Sequence, residues 1–396
     1  MKKFEIVKLL QLLVIALIVL LIWLRVPSDE NKRVDASLVA AGDYLISAVD
    51  ETGMFAYNID VVTGVRSDDY NMLRHAGTIF AMMQLYEITN DNQLRLATER
   101  ALQYLQSKTE VCYSFEEFDV SVLCVNDDNK LKLGGNALAI LAYEKYREVT
   151  GSTVYEEDSE ALARWILLNQ SENGEFTNHI QYAITGERDS HISEYYPGEA
   201  IFALVSLHNR TENQRYLDAA EYAAEWLITV RDKGKTSSNL VHDHWLLYGL
   251  HAIGDAKGIV EDIYYKHAIK ISSAIIASQN TTYTGGQFVW NGGFGASPRT
   301  TPAATRIEGL HAMYQMMEIR NDPRNKELVR DVKNAIILGS EFLFRTQITK
   351  TVIETNQLSE KSLGSFPNSL ALNNTRIDYT QHAISALLGY RDIYNK

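Results

Sequence analysis

"YPGEAIFALVSLHNRTENQRYLDAAEYAAEWLI", from Tyr196 to Ile228, reads as two helices joined by a turn. Pro197 suits a first helical turn, because the N–H it lacks would have no intrahelical partner there. Apolar residues then recur at three- and four-residue spacing as far as the polar stop "HNRTEN", and a second stripe follows at once. Stripes rich in Ala and Leu bury against another helix, and a short polar turn makes the two helices antiparallel neighbours. The unit is a helical hairpin. Pro197 at N1 would put Glu199 at N3, where a capping box accounts for it.

The same unit recurs in "HAGTIFAMMQLYEIT" from His75, "LGGNALAILAYEKYREVTG" from Leu133 and "RIEGLHAMYQMMEIRND" from Arg306. Each has a small residue in its first turns, an Ala/Leu/Met face and a polar stop before the next helix. The periodicity predicts twelve helices, at about 36–49, 70–88, 91–108, 134–149, 155–169, 197–209, 213–231, 241–254, 259–279, 302–320, 325–347 and 378–393, with strands minor. Six hairpins result. Their period of roughly 45–75 residues is too irregular for a tetratricopeptide or ankyrin solenoid. Turns within a pair are short, whereas connections between pairs, such as Thr52–Tyr70, Glu172–Tyr196, Thr284–Thr301 and Thr351–Arg376, are long and carry Gly and aromatic residues. Long connections inside a compact domain are usually functional, and in a closed ring these would all rise around the N-termini of the inner helices.

Six hairpins with small residues on the inner helices, the G-x-F and G-G-F loops and the Y-Y-P-G-E-A stretch resemble the six-hairpin glycosidase superfamily. They are also similar to the C-terminal domain of D-glucuronyl C5-epimerases. The resemblance covers about residues 36–396 and implies an all-α fold, an (α/α)6 toroid. It also implies an enzyme acting on a polysaccharide or oligosaccharide by hydrolysis, elimination or inversion of a sugar carbon.

The N-terminus is of another kind. From Leu9 to Leu24 every residue but Gln11 is apolar, close to the roughly 20 that span a bilayer. A transmembrane signal anchor is expected at 9–26, since no A-x-A site follows that would mark a cleaved signal peptide. Lys2, Lys3 and Lys8 place residues 1–8 in the cytoplasm by the positive-inside tendency. A linker at 27–35 then leads to the toroid at 36–396, in the periplasm or outside the cell. Cys112 and Cys124 share one loop, and a disulfide between them fits that compartment.

Composition narrows the function. The 396 residues are 46% hydrophobic and carry a net charge of −12, which excludes a nucleic-acid partner that binds by a basic surface. Neither a dinucleotide fingerprint, a phosphate loop nor an H-E-x-x-H zinc motif is present, and no cofactor or metal is expected. His242 and His244 stand two apart, so on a helix they point away from each other and make a poor ligand pair.

What gathers at the starts of the inner helices is denser than helix formation requires. Asp69, Tyr70, Arg74 and His75 open the second helix, Asn136 the fourth, and Tyr195, Tyr196 and Glu199 the sixth. His242, Asp243, His244 and Trp245 open the eighth, Arg306 and Glu308 the tenth, Asp378 and His382 the twelfth. Sugars are held by such sets, with rings stacked on aromatic faces and hydroxyls met by oriented polar groups. Asp69 and Asp378 also suit N-caps, and Arg74, Arg306 and Glu308 suit an internal ion pair. The expected chemistry is glycoside hydrolysis by two carboxylates from Glu199, Asp243, Glu308 and Asp378, with Glu199 as acid and Asp243 as base. Asp69, Tyr70, Arg74, His75, Tyr195, Tyr196, His242, Trp245, Arg306 and His382 form the substrate site. Two alternatives stay open: a uronate lyase or epimerase using Tyr195 or Tyr196 with His75 and Arg74, and a non-catalytic glycan-binding toroid.

Overall fold

The computed structural model describes residues 29–115, 120–281 and 288–395. The span expected at 9–26 lies outside them, and among the described residues no helix is long and apolar enough to cross a membrane. Thirteen α-helices occur in these residues: α1 Asp29–Ala48, α2 Met72–Thr89, α3 Asn92–Ser107, α4 Leu133–Thr150, α5 Glu156–Leu168, α6 Tyr196–Thr211, α7 Gln214–Trp226, α8 His244–Lys257, α9 Asp262–Ala277, α10 Thr300–Arg320, α11 Lys326–Thr346, α12 Lys350–Asn356 and α13 Ile377–Asn395. All twelve expected helices are there. The short α12 is additional, and α1 begins at Asp29, inside the stretch expected to be a linker.

The inner helices α2, α4, α6, α8, α10 and α13 pack each on the next, and α13 returns to α2. The ring is closed. Small residues permit the close approach: a Cβ added at Gly198 of α6 would lie 2.5 Å from the backbone nitrogen of Leu246 on α8. The outer helices α1, α3, α5, α7, α9 and α11 cover the ring with amphipathic faces. Each of the first five inner helices stops on a left-handed residue, namely Asn90, Gly151, Glu212, Gly258 and Asn321, which turns the chain back sharply toward the outer layer.

Three two-stranded antiparallel sheets tie down the long connections. β1 Asn58–Asp60 pairs with β6 Asn374–Arg376, β2 Thr109–Phe115 with β3 Val120–Val125, and β4 Lys130–Lys132 with β5 Ile180–Tyr182. The β1–β6 pair joins the first and last hairpins. The β2–β3 hairpin carries the Cys112–Cys124 disulfide, with Cα atoms 5.9 Å apart, as expected from their shared loop.

Along the ring axis, Phe202 of α6 meets Phe80 edge-on at 6.0 Å and stacks on Tyr248 at 5.5 Å. These rings floor a cavity of about 700 Å³ at the C-terminal ends of the inner helices, lined by salt-bridged residues such as Glu144 and Arg210. The N-terminal ends hold a second cavity.

Candidate active site

The second cavity, about 550 Å³, is walled by the first turns of all six inner helices and by the loop Phe294–Ser297. Of the residues expected there, Arg74, Tyr195, Tyr196, Glu199, His242, Trp245, Arg306, Asp378 and His382 line it. His244, Asn71, Gln381, Arg299 and Thr301 join them. Arg299, Thr301 and Gln381 carry no periodic or motif signal, so the sequence does not single them out.

Several expected site residues lie elsewhere. His75 is fully buried in the core: its Nε2–H donates to the Ala101 carbonyl at 2.8 Å, and Nδ1 meets the Tyr70 hydroxyl at 2.7 Å. Burial holds its pKa at about 4, so it stays neutral. Tyr70 is turned to that contact and accepts from the Phe55 backbone N–H, away from the cavity. Asp69 is exposed, with the Ser67 hydroxyl beside it, and Asn71 is the N-cap of α2 in its place. Asn136 turns its carbonyl oxygen to the Val125 N–H.

Asp243 is fully buried and caps α8, accepting from the Leu246 N–H at 3.0 Å. Its other oxygen takes Arg231 at 3.0 Å, from the π-helical turn Leu227–Arg231 that extends α7. It does not line the cavity. Buried, off the cavity wall and held on one oxygen by its own helix and on the other by a guanidinium, Asp243 is structural.

Glu199 shows the opposite. The helix starts at Tyr196, which puts Pro197 at N2, and the Glu199 N–H donates to the Tyr195 carbonyl at 3.1 Å within the helix. Its side chain caps nothing. It is 3% exposed, with Oε2 lacking any partner among the described residues, and Gly134 makes room for it. Burial first, and the Asp243 charge second, push its pKa up to about 8. At neutral pH it is a protonated acid aimed into the cavity. Asp378 is bound on both oxygens, by Arg376 at 2.5 and 2.9 Å and by Arg74 at 3.3 Å, rather than capping α13.

On the far wall His244 and His382 meet edge to face, with ring centroids 5.5 Å apart. His244 is 5% exposed, and neither ring nitrogen has a partner among the described residues. Burial, with His382 and Arg306 nearby, drives its pKa well below the ordinary value. His382 differs in one contact: its Nδ1 lies 2.8 Å from Oε1 of Glu308, whose Oε2 accepts from the Tyr248 hydroxyl at 3.3 Å. Burial works against the His382 cation, but the Glu308 charge and hydrogen bond outweigh it and raise the pKa. Glu308 does not line the cavity and acts through His382. Ligand atoms of His244, Glu308 and His382 all lie within 4.8 Å of one another, the spacing of a metal site.

Neither a protein-family model nor a curated protein matches this chain. Solved structures do. A D-mannose isomerase superposes with a TM-score of 0.63 at 16% identity, over 93% of this chain and 100% of its own. The fold this chain shares with it is the (α/α)6 toroid. An alpha-1,6-mannanase from Salegentibacter has the same toroid, with a TM-score of 0.64 at 11% identity over 92% of this chain and 100% of its own. So does a cellobiose 2-epimerase from Bacillus thermoamylovorans, at 0.61 and 12%, over 88% and 95%. At such identities the toroid is shared, and the chemistry must be argued from this chain's own side chains.

Proposed function

We propose that this mouth belongs to a carbohydrate-active enzyme that moves a proton at a sugar carbon next to a carbonyl, an isomerase or epimerase reaction. The observation that carries the reading is the histidine pair, two imidazoles in one cavity with their pKa values pushed apart. Such a split separates acid and base roles. Glu308 is an acceptor only, so it keeps the proton on Nδ1 of His382 and leaves Nε2 as the base. Nε2 takes the proton from the carbon, and Glu308 stabilises the imidazolium that forms. The C–H electron pair becomes the double bond of an enediol, while the carbonyl oxygen takes a proton from neutral His244. Return of the His382 proton to the neighbouring carbon, while the hydroxyl oxygen that becomes the new carbonyl gives its proton back to His244, isomerises the sugar. Return to the other face of the first carbon, with sugar rotation, epimerises it. Glu199, protonated, donates to a sugar oxygen, and Tyr195, Tyr196 and Trp245 supply ring faces.

The isomerase and epimerase among the structural neighbours support a carbohydrate substrate. Hydrolysis remains the second reading, because Glu199 with a pKa of about 8 suits a general acid. Its weakness is the base: Asp243 is a cap and Asp378 is clamped by two guanidinium groups. We also propose that residues 9–26 anchor the chain in a membrane, with the toroid on the oxidising side, a placement supported by the disulfide.

The test is incubation of the full-length protein with reducing sugars in deuterated water. One deuterium gained at carbon in recovered sugar supports proton transfer. New reducing ends from oligosaccharides without deuterium gain would transfer the assignment to hydrolysis.

A further inference from the structure

The partly buried guanidinium groups around the mouth are nearly all neutralised by carboxylates. Arg74 and Arg376 share Asp378, and Arg231 holds Asp232 and Asp243. Arg306 is the exception. Its Nε donates to Nδ1 of His242 at 3.0 Å and its Nη1 to the Pro302 carbonyl at 2.7 Å, and its Cζ lies 5.6 Å from the Phe294 ring centre. Among the described residues no carboxylate is within ion-pairing distance of it, and Nη2 has no hydrogen-bond partner. Burial lowers its pKa, with Arg299 adding a second positive charge nearby. A half-buried cation without a counter-charge is costly to keep, and in a chain of net charge −12 an acid to pair with it would be easy to supply.

The surroundings of Arg306 have the same sign. It stands just inside α10, whose N-cap residue Arg299 provides no side-chain cap. The Thr300 N–H is taken by the Asn368 carbonyl at 3.0 Å and Pro302 has none, so the Thr301 N–H is the spare donor of that first turn. The Thr301 hydroxyl is buried with no partner among the described residues. A separate feature of the cavity also points to a ligand: His244, 5% exposed, faces it with both ring nitrogens unpartnered.

We infer that this wall binds a carboxylate carried by the substrate, so that the sugar processed here is a sugar acid. The inference rests on the reading of this mouth as the active site and deepens it. A guanidinium edge, one backbone N–H and one hydroxyl match the two oxygens and single charge of a carboxylate. A doubly charged phosphate would be poorly compensated, since this wall offers one guanidinium without a carboxylate partner. Arg306 donates to His242 at 3.0 Å and lines the same cavity as His244 and His382, so a carboxylate held by Arg306 shares that cavity with the proposed acid and base.

Calorimetry on the full-length protein with sodium glucuronate, galacturonate and mannuronate, against glucose and glucose 6-phosphate, tests this directly. At least one sugar acid is expected to bind more tightly than glucose, and to weaken as salt is raised. Arg306→Gln should weaken that binding by roughly 10- to 100-fold and weaken glucose far less. Arg299→Gln, at an exposed position whose side chain caps nothing, should weaken it by a smaller factor, and melting temperatures check that both variants are folded. Binding by none of the three acids, or binding indifferent to both substitutions, would overturn the inference, as would tighter binding of glucose 6-phosphate. The two readings fail separately. Arg306-dependent binding without deuterium exchange in any sugar would sink the proton-transfer reading alone, and exchange in neutral sugars that ignores Arg306 would sink this one alone.

Discussion

Oε1 of Glu308 on α10 lies 2.8 Å from Nδ1 of His382 on α13, a contact between residues 74 positions apart in the chain. His244, 5.5 Å from His382 ring to ring, has no such partner. One carboxylate thus makes two otherwise similar buried imidazoles chemically unlike.

The first prediction follows from that asymmetry. His382 is the base only when deprotonated, and its folded pKa is raised above the ordinary 6.5, so kcat/KM should rise with pH along a limb centred above 6.5. Glu308→Gln removes the charge that raises it. The limb should then move to lower pH while kcat falls by roughly 10²-fold or more, with KM changed far less. A Glu308→Gln profile that superposes on the wild type would show that Glu308 only packs.

Glu199 carries a stability prediction. Its folded pKa of about 8 stands above the ordinary 4.5, so between those values the native state holds a proton that the unfolded chain has released. Stability contributed by this group is therefore full below about pH 4.5 and is lost as pH rises toward 8. Glu199→Gln should be nearly neutral in acid and more stable than wild type by about 3–5 kcal/mol near pH 8 to 9. Urea unfolding of both proteins at several pH values reads this, and parallel pH dependences would contradict it.

Metal ions separate two uses of one cluster. The proposed proton transfer uses His244 and His382 as free imidazoles, so EDTA should leave turnover unchanged. Added Zn²⁺ should inhibit by bridging His244, Glu308 and His382, whose ligand atoms already lie within 4.8 Å of one another. Activity lost to EDTA and restored by a divalent ion would reverse the assignment.

Topology can be checked through the cysteines and the apolar run. Protein from the native host should pellet with membranes after carbonate washing, and Cys112 and Cys124 should resist alkylation until reduced. Reduction should lower the melting temperature, because the bridge restrains the unfolded chain, while leaving the mouth active. Two thiols that alkylate freely in the native protein would count against the placement outside the cytoplasm.

The twelve long helices, their pairing and the ring were legible in the chain because each rests on local facts. Ala and Leu stripes, polar stops and small residues where inner helices touch are written into consecutive residues. So was much of the mouth: inner helices that run the same way bring their N-termini to one end, and Arg74, Tyr196, Glu199, His242, Arg306 and His382 follow from that alone. Whether a side chain there is chemistry or scaffold was decided only in three dimensions. His75 and Asp243 begin their helices just as His382 and Glu199 do, yet His75 is satisfied by Tyr70 and Ala101, and Asp243 by Leu246 and Arg231. Periodicity specifies the face a residue occupies and leaves open which charge stands opposite. Protonation, orphaned donors and the unbalanced charge of Arg306 depend on neighbours across the ring, and those exist only once it has closed.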